Sequence, residues 1–292
     1  ARAPAPVVGE ADGRVVVRAG ALELRFDRAA SALDVVRCGG RDRVLEGPRL
    51  QLWRAATDND GIRAWNGAGK PLARWLAWGL DRLALEPGPF AVREGRDRVT
   101  VTCVQHGVTR AGRVRHEQVL TVHGDGSLRS DHTIDVPEAL DDLPRVGVRL
   151  RLAGDLEELA WFGRGPHETH RDRRQAVVGV HRGRLEAQWV PYVLPQENGN
   201  KTEVRWLALD GPAGGLRVDA GRPIEFSVHR FTAEEIYAAR HQTDLVPRDH
   251  WVLNLDARQC GVGSASVGPE TPARHRVGPG RHRLRFDLRP TP

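Results

Sequence analysis

Apolar residues recur at every second position in several stretches of this chain. Leu22, Leu24 and Phe26 alternate with Glu23 and Arg25, and the same period of two returns at Val99, Val101 and Cys103 and at Val146, Val148, Leu150 and Leu152. It occurs again at Ile224, Phe226 and Val228, at Trp251, Leu253 and Leu255, and at Leu284, Phe286 and Leu288. Extended backbone sends successive side chains to opposite faces, so each stretch predicts a strand with one face buried. Gly124-Asp125-Gly126 and Gly211-Pro212 are turn sequences, where a positive or fixed φ is needed. Helical signals are few. Thr232 followed by Glu235, ahead of Ile236 and Tyr237, is a capping box that predicts a short helix. Leu72, Trp75, Leu76 and Gly79 share one face and predict another over 71–80. Many strands joined by Gly/Pro turns imply an all-β, antiparallel sandwich, because each sheet must bury a face against the other. Residues 13–290 are expected to form that single domain. Residues 1–12, rich in Ala and Pro and without periodicity, are expected to be a linker or the remnant of a preceding domain.

Composition narrows the function classes. A chain of 292 residues with 40% hydrophobic content can bury a substantial core. No stretch approaches the roughly 20 apolar residues of a membrane helix, and the start lacks the apolar run of a signal peptide. The expectation is a soluble chain with no membrane partner. Cys38, Cys103 and Cys260 are far apart and lack CxxC spacing or a His pair, which argues against a disulfide framework or a zinc site and fits a cytoplasmic location. The net charge of +6 invites a nucleic-acid partner, but the basic residues, all arginine except Lys70 and Lys201, alternate with Asp and Glu along the chain. Such a mixed-sign surface screens itself over about 10 Å, so no nucleic-acid partner is expected.

Three segments are too particular for sandwich packing alone. The first is Leu52-Trp-Arg-Ala-Ala-Thr-Asp-Asn-Asp-Gly61, followed by Trp65, Trp75 and Trp78. The second runs from Trp161-Phe-Gly-Arg-Gly-Pro-His-Glu168 through Asp172-Arg173 to Pro191-Tyr-Val-Leu-Pro-Gln-Glu-Asn-Gly-Asn200. The third is Leu253-Asn-Leu-Asp-Ala-Arg-Gln-Cys-Gly-Val-Gly-Ser264. In order and approximate spacing they resemble the last domain of glycoside hydrolase family 2 β-galactosidases, over roughly residues 13–290. The GRGPHE and PYVxPQENGN stretches are the specific part of the match.

The resemblance implies a supersandwich similar in fold to galactose mutarotases, placed after a catalytic TIM barrel in a retaining enzyme that hydrolyses β-galactosides such as lactose. It also implies that the loop after Asp58 lies at the mouth of the active site, which makes Asn59, Asp60, Gly61 and Trp65 substrate-proximal. Gly61, Gly67 and Gly69 would give residues 59–69 the freedom of a mobile lid. In some relatives a Trp after the GVGS-like glycines stacks on the sugar. The matching position is Val267 or its neighbour, which puts Ser264 and Val267 at the sugar without a π face.

Other residues have a structural reading. Asp58-Asn-Asp-Gly61 is also a plain turn sequence, and the Trp residues at 53, 65, 75 and 78 suit a core better than a sugar platform, with Trp65 the exception. His167-Glu168 and Glu197-Asn198 have the types of proton carriers, yet tight turns bracket them. Glu168 or Glu197 is therefore expected to cap backbone N–H groups or to pair with Arg164, Arg173 or Arg205. Glu168-Thr-His-Arg171 departs from the Glu-Asn-Tyr-Pro common in the family.

A retaining glycosidase needs two carboxylates roughly 5 to 5.5 Å apart. In the family both lie on the barrel with the magnesium ligands, so no catalytic residue, metal or cofactor is expected in this chain. Its partner is then the barrel, in the same polypeptide or as a large subunit, and the chain alone is expected to be inactive. The alternatives are a free-standing carbohydrate-binding module and a mutarotase-like aldose epimerase.

Overall fold

The computed structural model describes residues 4–61, 69–264, 266 and 268–291. In chain order the strands are β1 (Val7–Ala11), β2 (Arg14–Ala19), β3 (Leu22–Asp27), β4 (Ala32–Cys38), β5 (Arg41–Gln51), β6 (Ala84–Glu94), β7 (Arg98–Thr109) and β8 (Gly112–His123). They continue as β9 (Leu128–Val136), β10 (Arg145–Leu152), β11 (Glu158–Gly165), β12 (Val177–Arg184), β13 (Lys201–Asp210), β14 (Gly215–His229), β15 (Trp251–Gln259) and β16 (Gly280–Thr291). Every stretch with an apolar period of two lies in one of them.

One hydrogen-bonded path, in the order β1-β2-β3-β4-β5-β10-β15-β14-β16-β9-β8-β7-β6, carries thirteen strands, and β11, β12 and β13 branch from β14. All pairings between these strands are antiparallel. The path folds over so that β2 meets β8 and β4 meets β7. Ser31 ties the layers there, accepting from the Val104 N–H (3.0 Å) and donating to the Pro89 carbonyl (3.0 Å). The main core lies between the layers and includes Leu24, Phe26, Val101, Leu150, Phe226, Leu255 and Phe286. β3 shows the rule in miniature: its buried residues alternate strictly with half-buried Glu23, Arg25 and Asp27.

Both predicted helices form. Pro71 starts α1 (Pro71–Trp78), and Gly79, left-handed at φ 77°, ends it. The capping box starts α2 (Ala233–Ala238): Thr232 Oγ accepts from the Glu235 N–H at 3.3 Å, and Glu235 Oε2 accepts from the Thr232 N–H at 2.8 Å. Over residues 7–11 the chain is a paired strand where a linker or the remnant of a preceding domain was expected. Val7 and Val8 are β-branched, and Val7–Ala11 pairs with β2 along its full length as β1.

The strands that position the functional segments are β5, β10, β15 and β14. Gly147 of β10 lies opposite Gln51 on one side and Asp256 on the other, and Asp256 in turn lies opposite Glu225 of β14. A Cβ on Gly147 would collide with the Asp256 carboxylate and the Leu255 carbonyl, so only glycine allows these strands to close on Asp256.

A second polar feature sits inside the main core. His116 Nε2 and His132 Nδ1 are 3.0 Å apart, and Ser130 Oγ is 2.8 Å from His132 Nε2. Both rings are buried. Burial pushes His116 down to about 3, and burial together with His116 holds His132 well below the ordinary imidazole range.

Gly147→Ala is expected to lower the unfolding free energy by about 1 to 3 kcal/mol or more through overpacking, and Thr232→Ala by only about 1 kcal/mol through loss of a cap. Urea unfolding that ranks them the other way would contradict the strand register at Asp256. The histidine pair sets a pH dependence. Imidazoles kept neutral in the fold stabilise it above about pH 6.5, where the unfolded chain is neutral too. That contribution is lost as the pH falls toward the folded value, at about 1.4 kcal/mol per pH unit for each proton. His116→Gln should therefore flatten the fall in unfolding free energy between pH 6 and 4, and a slope identical to wild type would overturn the assignment.

Candidate functional site

The three particular segments leave the ends of β5, β11 and β15, and buried charge draws them together. Arg54, in the first segment, is fully buried. Its guanidinium forms a two-pronged pair with Asp60 (2.5 and 3.1 Å) and donates to the carbonyls of Cys260 (2.7 Å) and Gly261 (3.1 Å) in the third. Burial opposes that charge, but Asp60 and the other carboxylates nearby outweigh it and hold Arg54 above its ordinary range. Asp60 is held in turn by the Thr57 N–H (2.8 Å) and hydroxyl (3.1 Å). Asn59 reaches across as well, donating to the Gly263 carbonyl at 2.9 Å and accepting from the Ser266 hydroxyl at 2.8 Å.

Asp172 joins the second segment to the third, accepting from the N–H groups of Val262 (3.1 Å) and Gly263 (2.7 Å). A Cβ on Gly261 would lie 2.6 Å from that carboxylate, which explains the first glycine of the GVG run. The first and second segments meet where the Glu197 N–H donates to the Ala55 carbonyl (2.9 Å) and the Asp58 N–H to Gln196 Oε1 (3.2 Å).

Beneath the segments lies a second buried guanidinium. Arg145, at the start of β10, is 2.8 Å from Glu197 and 3.2 Å from Asp256. Burial opposes its charge, and Asp256 and Glu197 more than offset this, so it too titrates above its ordinary range. Burial drives Asp256 up to about 7 against the pull of Arg145, and drives Glu225 upward as well. Glu225 accepts from Asn200 Nδ2 (3.1 Å) and the Gln259 N–H (3.3 Å).

Above this floor is an open cleft of about 280 Å³ lined by Asn59, Glu168, His170, Tyr192, Gln196 and Ser266, with residues of all three segments in its walls. Two of its three carboxylates, Glu168 and Glu197, are already engaged. Glu168 accepts from the Gly199 N–H (2.9 Å) and the Tyr192 hydroxyl (3.0 Å) and pairs with Arg173. His170 is buried, and burial followed by the Arg54 charge lowers it to about 4. Glu197 is bound to Arg145. The cleft can present hydrogen-bonding groups to a polar ligand; its remaining carboxylate, the exposed Asp58, accepts only from Gln196 Nε2 (3.4 Å) among the described residues, and one such group does not make the nucleophile and proton-donor pair of a glycosidase.

The expected site residues separate as follows. Asn59 lines the cleft, Asp60 lies under it at 3% exposure, Gly61 is buried, and Ser264 is exposed on the neighbouring turn. Trp65 and Val267 lie outside the described residues, as does most of the expected lid over 59–69. The described start of that lid is a correction: Asn59 and Asp60 are pinned by hydrogen bonds to the other segments, because a buried arginine requires Asp60 to stay in place. Glu168 caps a backbone N–H and pairs with Arg173 as expected. Glu197 instead pairs with Arg145, since the strand register sets β10 rather than any of the three expected arginines against it. Trp53 and Trp75 are core residues packed edge to face with centroids 6.3 Å apart, and Trp78 is half-buried. Reading the sequence missed Arg145, Asp256 and Glu225. The available signal was a charged residue amid the apolar run of β15, Asp256 following Leu253 and Leu255.

Among the described residues no group of three or more His, Cys, Asp or Glu could hold a metal ion, and no helix is long and apolar enough to cross a membrane. The three cysteines are unpaired.

Comparison with known proteins gives a consistent result. β-Galactosidase from Arthrobacter sp. (strain B7) is 38% identical over 248 residues, covering 77% of this chain and 24% of that enzyme. β-Galactosidase from Vibrio cholerae is 31% identical over 284 residues, covering 92% of this chain and 27% of the enzyme. The chain thus spans about a quarter of the length of the curated relatives it matches. Among solved structures, a putative aldose 1-epimerase from Escherichia coli K12 covers 98% of this chain and 99% of its own at 10% identity and a TM-score of 0.46. The family model of the β-galactosidase small chain matches residues 18–289, and with the relatives it shows that the chain belongs to that family.

Proposed function

We propose that this chain is the small-chain portion of a retaining β-galactosidase and forms one wall of its active site. The nucleophile and the acid/base lie on a catalytic barrel outside these 292 residues, in the same polypeptide or in a large subunit. The substrate class is terminal β-galactosides such as lactose. The observation that carries this reading is the convergence of the three particular segments on one cleft in which Glu168 and Glu197 are tied to Arg173 and Arg145, leaving Asp58 as its one carboxylate without a cationic partner among the described residues. Such a surface can shape and orient a sugar but cannot cleave a glycosidic bond, which needs both a nucleophile and a proton donor. The magnesium implied by the family belongs with the barrel in this reading.

Within this proposal Asn59 is a positioning residue. It fastens Gly263 and Ser266 to the first segment, and Ser264 beside them would meet the substrate. The remaining polar groups of the cleft would meet sugar hydroxyls, where a misplacement of about 1 Å can cost 100-fold in rate.

The purified 292-residue chain is expected to release no galactose from lactose, and the enzyme that includes the barrel to hydrolyse it. In that complete enzyme Asn59→Ala should lower kcat/KM about tenfold. Val267→Asp, which sets a charge against the sugar, should lower it by roughly 5- to 150-fold, from a polar-group cost of about 1 to 3 kcal/mol. Steady-state kinetics on lactose checks both, with the melting temperature measured in parallel. Hydrolysis by the isolated chain would sink the assignment. Unchanged kcat/KM in both variants would show that this wall does not border the substrate.

A further inference from the structure

A second concavity lies on the other side of the buried network, and its charges are arranged differently. This cleft of about 330 Å³ is lined by Arg171, Arg174, Arg258 and Arg274, by Thr202, and by the apolar edge of Pro223, Ile224 and Ala257. Its carboxylates are Glu203 and Glu225. Glu203 is taken: Arg164 lies 3.2 Å from it and Arg174 pairs with it directly. Glu225 lies at the floor, its oxygens accepting from Asn200 and the Gln259 N–H.

Arg171 and Arg258 are left without a carboxylate within 4 Å and without a side-chain hydrogen bond among the described residues, although both are half-buried in the same cleft. Elsewhere arginines are paired along or across strands, as in Arg217 with Asp219 within β14 and Arg281 with Asp135 between β16 and β9. Burial and then the charge of Arg171 depress Arg258, with Glu225 pulling the other way. Arg274 at the rim donates to His275 Nε2 and has no acidic partner either. Arg171 also lies in the Thr169-His170-Arg171 stretch that departs from the family pattern, so packing common to the family does not explain it.

We propose that this cleft binds a small doubly charged oxyanion of the phosphate class, either free phosphate or the phosphate of a monoester. Two guanidinium forks in the walls of one cleft can each offer paired N–H donors to tetrahedral oxygens, as a lone lysine cannot. A dianion there cancels the repulsion between Arg171 and Arg258. The apolar edge leaves room beside the anion for the carbon skeleton of an ester. This site is separate from the sugar-facing wall and does not depend on that assignment.

The test is calorimetric titration of the 292-residue chain with inorganic phosphate at pH 8, with ionic strength held by chloride, followed by melting curves of wild type and Arg258→Gln. Saturable binding is expected, weakened at least tenfold in Arg258→Gln and unchanged in Arg281→Gln, whose guanidinium lies elsewhere. The melting temperatures should cross over. Without phosphate Arg258→Gln should melt above wild type, because a repulsion has been removed, and in saturating phosphate it should melt below. If Arg258→Gln does not fold, Arg171→Gln supplies the same comparison. Phosphate acting no better than chloride, or wild-type affinity in the variant, would overturn the proposal. So would loss of phosphate binding when the chain is joined to its catalytic portion, since a carboxylate from that portion would then be the occupant. Glucose 6-phosphate binding more tightly than inorganic phosphate would identify a monoester as the ligand, and the reverse order free phosphate.

Discussion

A guanidinium cannot be left unpaired where water does not reach, and this constraint organises the functional end of the sandwich. Arg54 and Arg145 are both fully buried. Transferring a lone ion into such an environment costs several kcal/mol even after relaxation, and removing one partner of a buried pair costs about 3 to 5 kcal/mol. The chain meets the constraint with groups from distant places: Asp60, Glu197 and Asp256 supply charge, and the Cys260 and Gly261 carbonyls supply acceptors. Each of these groups lies in or beside one of the three particular segments. The segments converge because the arginines require it, and the cleft above is a consequence.

An apolar core would hold the sheets together at least as well, since well-packed hydrophobic residues of similar volume often match or exceed a buried ion pair in stability. Apolar contact, however, tolerates sliding. A two-pronged Arg54–Asp60 pair with two further carbonyl acceptors admits one relative placement of residues 54–60 and 260–261. The Asp172 carboxylate, held by two successive N–H groups, does the same for the second and third segments. Directional bonds thus fix loops that leave three different strands. The wall proposed above needs that fixity, because misplaced hydrogen-bonding groups do not orient a substrate.

The same reasoning separates what the sequence could disclose from what it could not. Strands were legible because burial of one face imprints a local period, as in Leu22, Leu24 and Phe26. The α2 capping box was legible because its partners are three residues apart. The pairing of Glu197 with Arg145 joins residues 52 positions apart and leaves no period, so nearby arginines were the natural but wrong guess. Residues 59–61 carry the composition of a free turn, and only the register of β5, β10 and β15 reveals that Asp60 must hold Arg54. Val7 and Val8 were masked by the Ala/Pro composition around them. The site was legible as a set of unusual words and illegible as a geometry, because its geometry is made by charges that meet across the fold.

The buried network also connects the two clefts. Glu197 borders the cleft formed by the three segments and binds Arg145, Arg145 faces Asp256, Asp256 lies opposite Glu225 in the β14–β15 ladder, and Glu225 forms part of the arginine-lined cleft. A continuous chain of charges is not in itself a switch. Coupling between sites requires an element with two arrangements that each ligand favours differently. Here every link is buried, Gly147 admits no looser register at Asp256, and shifting Glu197 or Asp256 would take a partner from the Arg145 guanidinium. The network is accordingly a rigid floor shared by two sites. An anion held by Arg171 and Arg258 would relieve repulsion at one edge of that floor and raise the stability of the fold, while the geometry presented to the sugar at the other edge stayed as it is.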